Sequence, residues 1–316
     1  MIKKHERLRR ILIYSTAVLV TAAAIVIGIS YQVLGKLTFA GDRIIYGKKL
    51  SDLVLDIRVE MIKNPDLSPV SFKSVGGLTL AGYMITRKNA KANAVLCHGY
   101  RSTKELMYAM LDIFPDWNIL LFDFRAHGMS EGNVTSIGYN EYEDVIAAAQ
   151  TMRTIAKENK TEALPFILLG ISMGGAASLK AVEHQPELCD ALIIDSTYAR
   201  LSNTIFKAFS TKAHLPLYPF FPVIKYLFQY FAACDIHMMN PEDSVLKIKQ
   251  PIFLIHSVRD SYIASANALR LYAGVQNPKS KLWIAPECRH GWLHSYFPEA
   301  YRNKCLHFLK NAEILK

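Results

Sequence analysis

No Cys-x-x-Cys pair occurs among the five cysteines, Cys97, Cys189, Cys234, Cys288 and Cys305, which are odd in number and widely scattered. That argues against a disulfide framework or a zinc site and leaves them as ordinary buried or semi-buried thiols. Charge is also sparse. Asp, Glu, Lys and Arg make up 20% of the chain against 51% hydrophobic residues, which excludes a disordered protein. The formal charge is +10, but Lys3, Lys4, Arg7, Arg9 and Arg10 against Glu6 place +4 of it in the first ten residues and leave +6 for the rest. No dense basic block interleaved with aromatics follows, so a nucleic-acid partner is not expected. Internal repeats and low-complexity tracts are missing as well. With 316 residues the chain holds one large domain or two small ones, with ample core either way.

What is present begins with a long apolar run. Residues 11–35 carry no charge, and the densest part, 11–30, is long enough to cross a bilayer core as one helix. The basic decapeptide before it puts the N-terminus in the cytoplasm and the rest of the chain on the far side. Lys36, Arg43, Lys48 and Lys49 just beyond the run soften that orientation. A cleaved signal peptide is the rival reading, because Thr21-Ala22-Ala23-Ala24 offers small residues. The apolar run continues past them with no clear cleavage site, so the expectation is an uncleaved anchor over 11–35. Residues 36–67 then read as a juxtamembrane connector with helical patterning near 50–62.

From residue 68 onward short apolar segments alternate with helical ones. Residues 69–84 read as two strands about a glycine turn; 92–97, 118–124, 166–171, 191–195, 251–257 and 281–284 read as further strands. Helical spacing is expected over 104–114, 139–158, 173–184, 261–275 and 298–312. Such alternation implies a mostly parallel, doubly wound sheet with an N-terminal hairpin. Residues 197–246 break the pattern, being too long for one crossover helix. Their aromatic core, Leu215 to Phe231 with three interior prolines, reads as a helical cap that lines a substrate pocket or touches the membrane.

Gly170-Ile171-Ser172-Met173-Gly174-Gly175 follows one of these strands and opens a helix. Strand, sharp turn with serine at its apex, then helix is the geometry of a nucleophile elbow, whose glycines permit the turn and the close helix–strand packing. A serine nucleophile needs a base, and the base needs an acid to fix its tautomer. In chain order the candidates are Ser172, Asp260 and His290, each at the carboxyl end of a predicted strand or in the loop after it, where sites in open α/β sheets assemble. Asp195, which also ends a strand, is the alternative acid. His256 lies inside its strand and reads as a structural hydrogen-bonder, and His127 as a brace of its glycine loop. His294 would share a side with His290 only if that loop were helical. The oxyanion hole wants two backbone N–H groups. Met173, next after the serine, offers one, and Tyr100 in His98-Gly99-Tyr100 offers the other.

The set His98-Gly99-Tyr100, Asp123-Phe124-Arg125-Ala126-His127-Gly128-x-Ser130-x-Gly132, Gly170-Ile171-Ser172-Met173-Gly174-Gly175 and His256-Ser257-x-x-Asp260 resembles the α/β-hydrolase superfamily over roughly 68–312. Within it the chain is similar to membrane-anchored bacterial serine hydrolases of the Bem46 and serine-aminopeptidase-like branches. Arg125-Ala126-His127 stands where Arg-Gly-His is commoner, and Ser257 where Gly usually follows His. The resemblance implies an α/β-hydrolase domain over 68–316 with a cap insertion at about 197–246, acyl transfer through Ser172, and no metal or organic cofactor. The expected partners are a small-molecule or lipid-like acyl substrate and, through the N-terminal helix, the membrane. A carboxylic ester with an apolar group comes first. A peptidase or thioesterase would use the same machinery, and a catalytically inactive interaction protein at the membrane is the reading from another class.

Overall fold

The computed structural model describes residues 2–38, 44–45, 48–208 and 216–316. Met1, residues 39–43 and 46–47 of the expected connector, and 209–215 of the expected insertion lie outside the described residues. Eight strands form one sheet: β1 (Leu67–Lys73), β2 (Thr79–Ile85), β3 (Ala92–Cys97), β4 (Trp117–Phe122), β5 (Phe166–Ile171), β6 (Ala191–Asp195), β7 (Ile252–Ser257) and β8 (Lys281–Ala285). Their order across the sheet is β1-β2-β4-β3-β5-β6-β7-β8. The β1–β2 and β2–β4 pairs are antiparallel, and every other pair is parallel.

Strands β3 to β7 are buried at every residue. That is why they read as nearly continuous apolar runs rather than alternating ones: both faces of a parallel sheet are covered by helices. The period of two survives in three dimensions. Val95, Leu168 and Ile194 point into one layer with Ala148 and Met152 of α3 (Tyr142–Glu158) and Ala177 of α4 (Met173–His184). Leu96, Leu169 and Ile193 point into the other, with Tyr301, Cys305 and Phe308 of α8 (Pro298–Asn311).

Two further helices precede the sheet, α1 (Ile2–Thr38) and α2 (Leu50–Lys63). One helix among the described residues is long and apolar enough to cross a membrane, residues His5–Gly35 with a mean hydropathy of 2.3. Between β6 and β7 the chain forms α5 (Leu201–Ala208) and α6 (Leu217–Ala232), and a helical turn at Pro241–Ser244. Phe221, Ile224, Phe228 and Ala232 make the buried face of α6, at spacings of three and four. All five cysteines are free and buried.

Two expected helices are shorter than their patterns, for local reasons. Residues 104–114 form a 3-10 turn at Lys104–Met107 and an α-turn at Met110–Ile113. The first is anchored inward, since the Lys104 N–H donates to the Asp123 carboxylate at 2.8 Å. The helix expected from residue 261 starts only at Ala266, as α7 (Ala266–Gly274); before it the Tyr262 and Ile263 N–H groups donate to the Asp260 carboxylate.

Candidate active site

The turn at the end of β5 is strained. Ser172 has φ 56° and ψ −116°, a region that non-glycine residues avoid. Its peptide is held on both sides: Ser172 N–H donates to the Asp195 carbonyl at 2.8 Å, and Thr197 Oγ1 donates to the Ser172 carbonyl at 3.0 Å. The glycines after it are required by contact. A Cβ on Gly174 would fall 2.2 Å from the Cys97 carbonyl oxygen, and one on Gly175 would fall 2.1 Å from Thr197 Oγ1. Those approaches draw the end of β3 onto the start of α4. Gly99 then lies so near that a Cβ there would meet the Ser172 Cβ at 3.4 Å.

The structure brings Ser172, Asp260 and His290 together from three separate strand ends. His290 Nε2 is 2.9 Å from Ser172 Oγ, and His290 Nδ1 is 2.6 Å from Asp260 Oδ2. A carboxylate accepts, so Nδ1 carries the proton and Nε2 is the acceptor facing the serine hydroxyl. Asp260 is fixed in turn through its other oxygen, which accepts the Tyr262 and Ile263 N–H groups at 2.8 and 2.9 Å. Burial pushes this carboxyl upward, but the His290 hydrogen bond and charge, with the two N–H groups, outweigh it and hold it below its ordinary value.

The other candidates fall elsewhere. Asp195 is fully buried, and Ser196 Oγ donates to it at 2.8 Å. Burial pushes it up to about 7, and it does not share the His290 Nδ1 contact, which goes to Asp260. His256 donates Nε2–H to the Ile263 carbonyl at 2.8 Å and lies 3.5 Å from Asp260 Oδ2, so it braces the acid's loop. His294 sits on a helical turn, Leu293–Tyr296, but is buried beside Tyr301 and Trp292. Cys288 is buried, and its thiol is pushed up to about 11, which disqualifies it as a competing nucleophile.

Met173 is the first residue of α4, where helical N–H groups lack intrahelical acceptors and the dipole end is positive. Tyr100 belongs to a loop pinned by two histidines. His98 donates Nδ1–H to the Gly99 carbonyl at 2.7 Å and accepts the Phe124 N–H on Nε2 at 3.1 Å. His127 donates Nδ1–H to the Arg125 carbonyl at 2.8 Å and accepts the Arg101 N–H at 3.2 Å. The Gly99 carbonyl and the Tyr100 N–H belong to one planar peptide, so fixing the first aims the second the opposite way. His98→Ala is therefore expected to lower kcat about 10²-fold, the cost of a donor displaced by about 1 Å, with KM little changed. Steady-state kinetics that moved KM alone would reject this positioning role.

Strand order β1-β2-β4-β3-β5-β6-β7-β8, a serine elbow after β5, a carboxylate after β7 and a histidine after β8 form one recognisable plan. The fold is that of the α/β-hydrolase superfamily. Comparison with known proteins agrees. A family model described as serine aminopeptidase, S33, matches residues 88–229. The uncharacterized protein YqkD of Bacillus subtilis (strain 168) is 28% identical over 242 residues, which are 75% of this chain and 77% of YqkD. YfhR of Escherichia coli (strain K12) is 24% identical over 253 residues, 77% of this chain and 80% of YfhR. Among solved structures, a Pyrococcus furiosus esterase superposes with a TM-score of 0.62 at 25% identity, covering 77% of this chain and 90% of the esterase. The family match ends before Asp260 and His290, so that half of the hydrolase-fold site rests on geometry.

One part of the site's support was not foreseen. Lys104, with 1% of its side chain exposed, puts Nζ 2.5 Å from Asp123 Oδ2 and 3.2 Å from Glu105 Oε1. Arg58 of α2 closes the network at 2.7 Å from Glu105. Asp123 also accepts the Met129 N–H at 2.9 Å, so this buried cluster ties the loop after His98 to the glycine loop at 123–132.

Proposed function

We propose that this protein is a serine hydrolase that cleaves an acyl bond, most simply a carboxylic ester with an apolar group, at a membrane surface. The observation that carries the reading is the His290 imidazole set between Ser172 Oγ at 2.9 Å and Asp260 at 2.6 Å. Ser172 attacks the acyl carbonyl while His290 Nε2 takes its proton, and Asp260 stabilises the imidazolium. The Met173 and Tyr100 N–H groups hold the oxyanion. His290 then protonates the leaving alcohol, and water, activated by the same imidazole, attacks the acyl-serine and releases the acid. No group beyond these side chains and peptides is needed for the step.

An ester is favoured by the apolar, aromatic α6 inserted between β6 and β7, and by the esterase among the similar structures. The serine aminopeptidase description of the family model favours a peptide as the second reading. The N-terminal helix, anchored with its basic end inside, holds the domain on the far side of the membrane.

A fluorophosphonate probe is expected to label the wild-type protein and leave Ser172→Ala unlabelled; equal labelling of both would end the assignment. Turnover of p-nitrophenyl esters of rising chain length, against aminoacyl p-nitroanilides, separates the ester from the peptide reading.

A further inference from the structure

The last turns of α1 pack along another helix. Val26, Ile29, Ser30, Val33 and Leu34, at spacings of three and four, are turned inward on a helix otherwise exposed over 9–25. Ser30 and Leu34 are fully buried. The helix they meet is α6, with Tyr31 edge-on to Phe231 at 5.9 Å between ring centroids. Ser30 is a small residue, which lets two helix backbones approach closely.

That contact fixes the depth of α6. The charge-free run is residues 11–35, and about 20 residues of helix cross a hydrocarbon core about 30 Å thick. A span beginning at residue 11 ends near residue 30. The inward positions Val26 to Leu34 therefore occupy the outer part of the core and the headgroup zone. A helix packed against them sits at the same level.

The outward face of α6 suits that level. Opposite its buried face it carries Tyr226 and Tyr230, 69% and 73% exposed, with Tyr218 at 80% near its start. Tyr31 of α1, half exposed, meets Phe231, whose ring also lies edge-on to Tyr230. The nearby ammonium of Lys225 is paired with Asp235 at 3.2 Å. A ring with a hydroxyl tip, apolar along its body and wet at its end, is the side chain of the membrane–water interface.

We propose that α6 is an interfacial helix whose Tyr226 and Tyr230 face lies in the headgroup region of the bilayer that α1 crosses. The inference rests on reading α1 as a membrane anchor. The inner face of α6, through Phe221, Ile224 and Phe228, belongs to the same buried cluster as Met173.

The test uses the full chain in vesicles of phosphatidylcholine and phosphatidylglycerol. All five native cysteines are buried, so a surface cysteine can be labelled selectively with a nitroxide. Tyr226→Cys and Tyr230→Cys are compared with Val20→Cys in the span and with Leu269→Cys, exposed on α7, which packs on β7 and β8. Relaxation by oxygen relative to a water-soluble nickel chelate is expected to be several-fold higher at 226 and 230 than at 269, and higher still at 20. Positions 226 and 230 reading like 269 while 20 reads as lipid would overturn the interfacial helix and leave the anchor standing. Position 20 reading as water would overturn both, without touching the fluorophosphonate result at Ser172.

Discussion

Asp260→Asn is expected to lower kcat about 10⁴-fold while leaving the protein folded. The size of the loss follows from which oxygen is already taken. Asp260 Oδ1 accepts the Tyr262 and Ile263 N–H groups, so the asparagine carbonyl oxygen must occupy that position. Its NH₂ then faces His290 Nδ1, which has to become the acceptor. The ring proton moves to Nε2, and the nitrogen facing Ser172 can no longer take the hydroxyl proton. Asp195→Asn should cost less than about tenfold in kcat, because His290 Nδ1 pairs with Asp260 instead. The two carboxyls also have opposite stability signs. Asp260, held below its ordinary value, stabilises the fold above that range and loses the contribution as pH falls through it. Asp195, raised from 3.8 to about 7, contributes stability present below 3.8 and lost as pH rises through about 7, so its asparagine variant should flatten that decline. Steady-state kinetics on a soluble p-nitrophenyl ester, with thermal melts from pH 4 to 8, read both. A 10⁴-fold loss in Asp195→Asn and none in Asp260→Asn would reverse the assignment.

How much of this was legible in the chain depends on the range of the interactions. Ser172 announces itself because strand, glycines and helix are contiguous, although the contacts that force the glycines come from the ends of the two strands flanking β5, Cys97 of β3 and Thr197 after β6. Asp260 and His290 are legible because a parallel sheet collects its strand ends on one edge, so position in the alternation stands in for position in space. The tautomer of His98 is not legible, since its partner Phe124 lies 26 residues away on a different loop. Nor is the length of α7. Nothing in residues 261–265 shows that this stretch turns back onto the Asp260 carboxylate before the helix begins at Ala266. The packing of α1 on α6 joins residues some two hundred apart, and an apolar helix carries no mark of which apolar surface it will meet.

Lys104 is the clearest case of a side chain whose surroundings contradict its type, and its replacement carries the largest expected stability effect. In the sequence it reads as the start of a helix. In the fold it is shut beneath the loop after His98, against two carboxylates that are themselves fully buried. Its ammonium also lies over the Tyr83 ring, 5.4 Å from the centroid. Lys104→Met keeps most of the length of the side chain and removes its charge, leaving Asp123 without its cation in a site where burial already pushes that carboxyl upward. Breaking one partner out of a buried pair costs about 3–5 kcal/mol, which in a domain of this size lowers Tm by roughly 6–20 °C. The loss should shrink at acid pH, where Asp123 can enter the fold neutral. It should shrink as well in the Lys104→Met, Asp123→Asn double variant, whose interaction energy a double-mutant cycle extracts. Calorimetric melts of the four proteins decide it. Additive losses of less than about 1 kcal/mol each would mean that the charges are solvated and that hydrogen bonds donated by the Lys104 and Met129 N–H groups to the Asp123 carboxylate hold the loop unaided. A large coupling instead makes the ion pair the fastening between the loop that aims the Tyr100 N–H and the sheet beneath it.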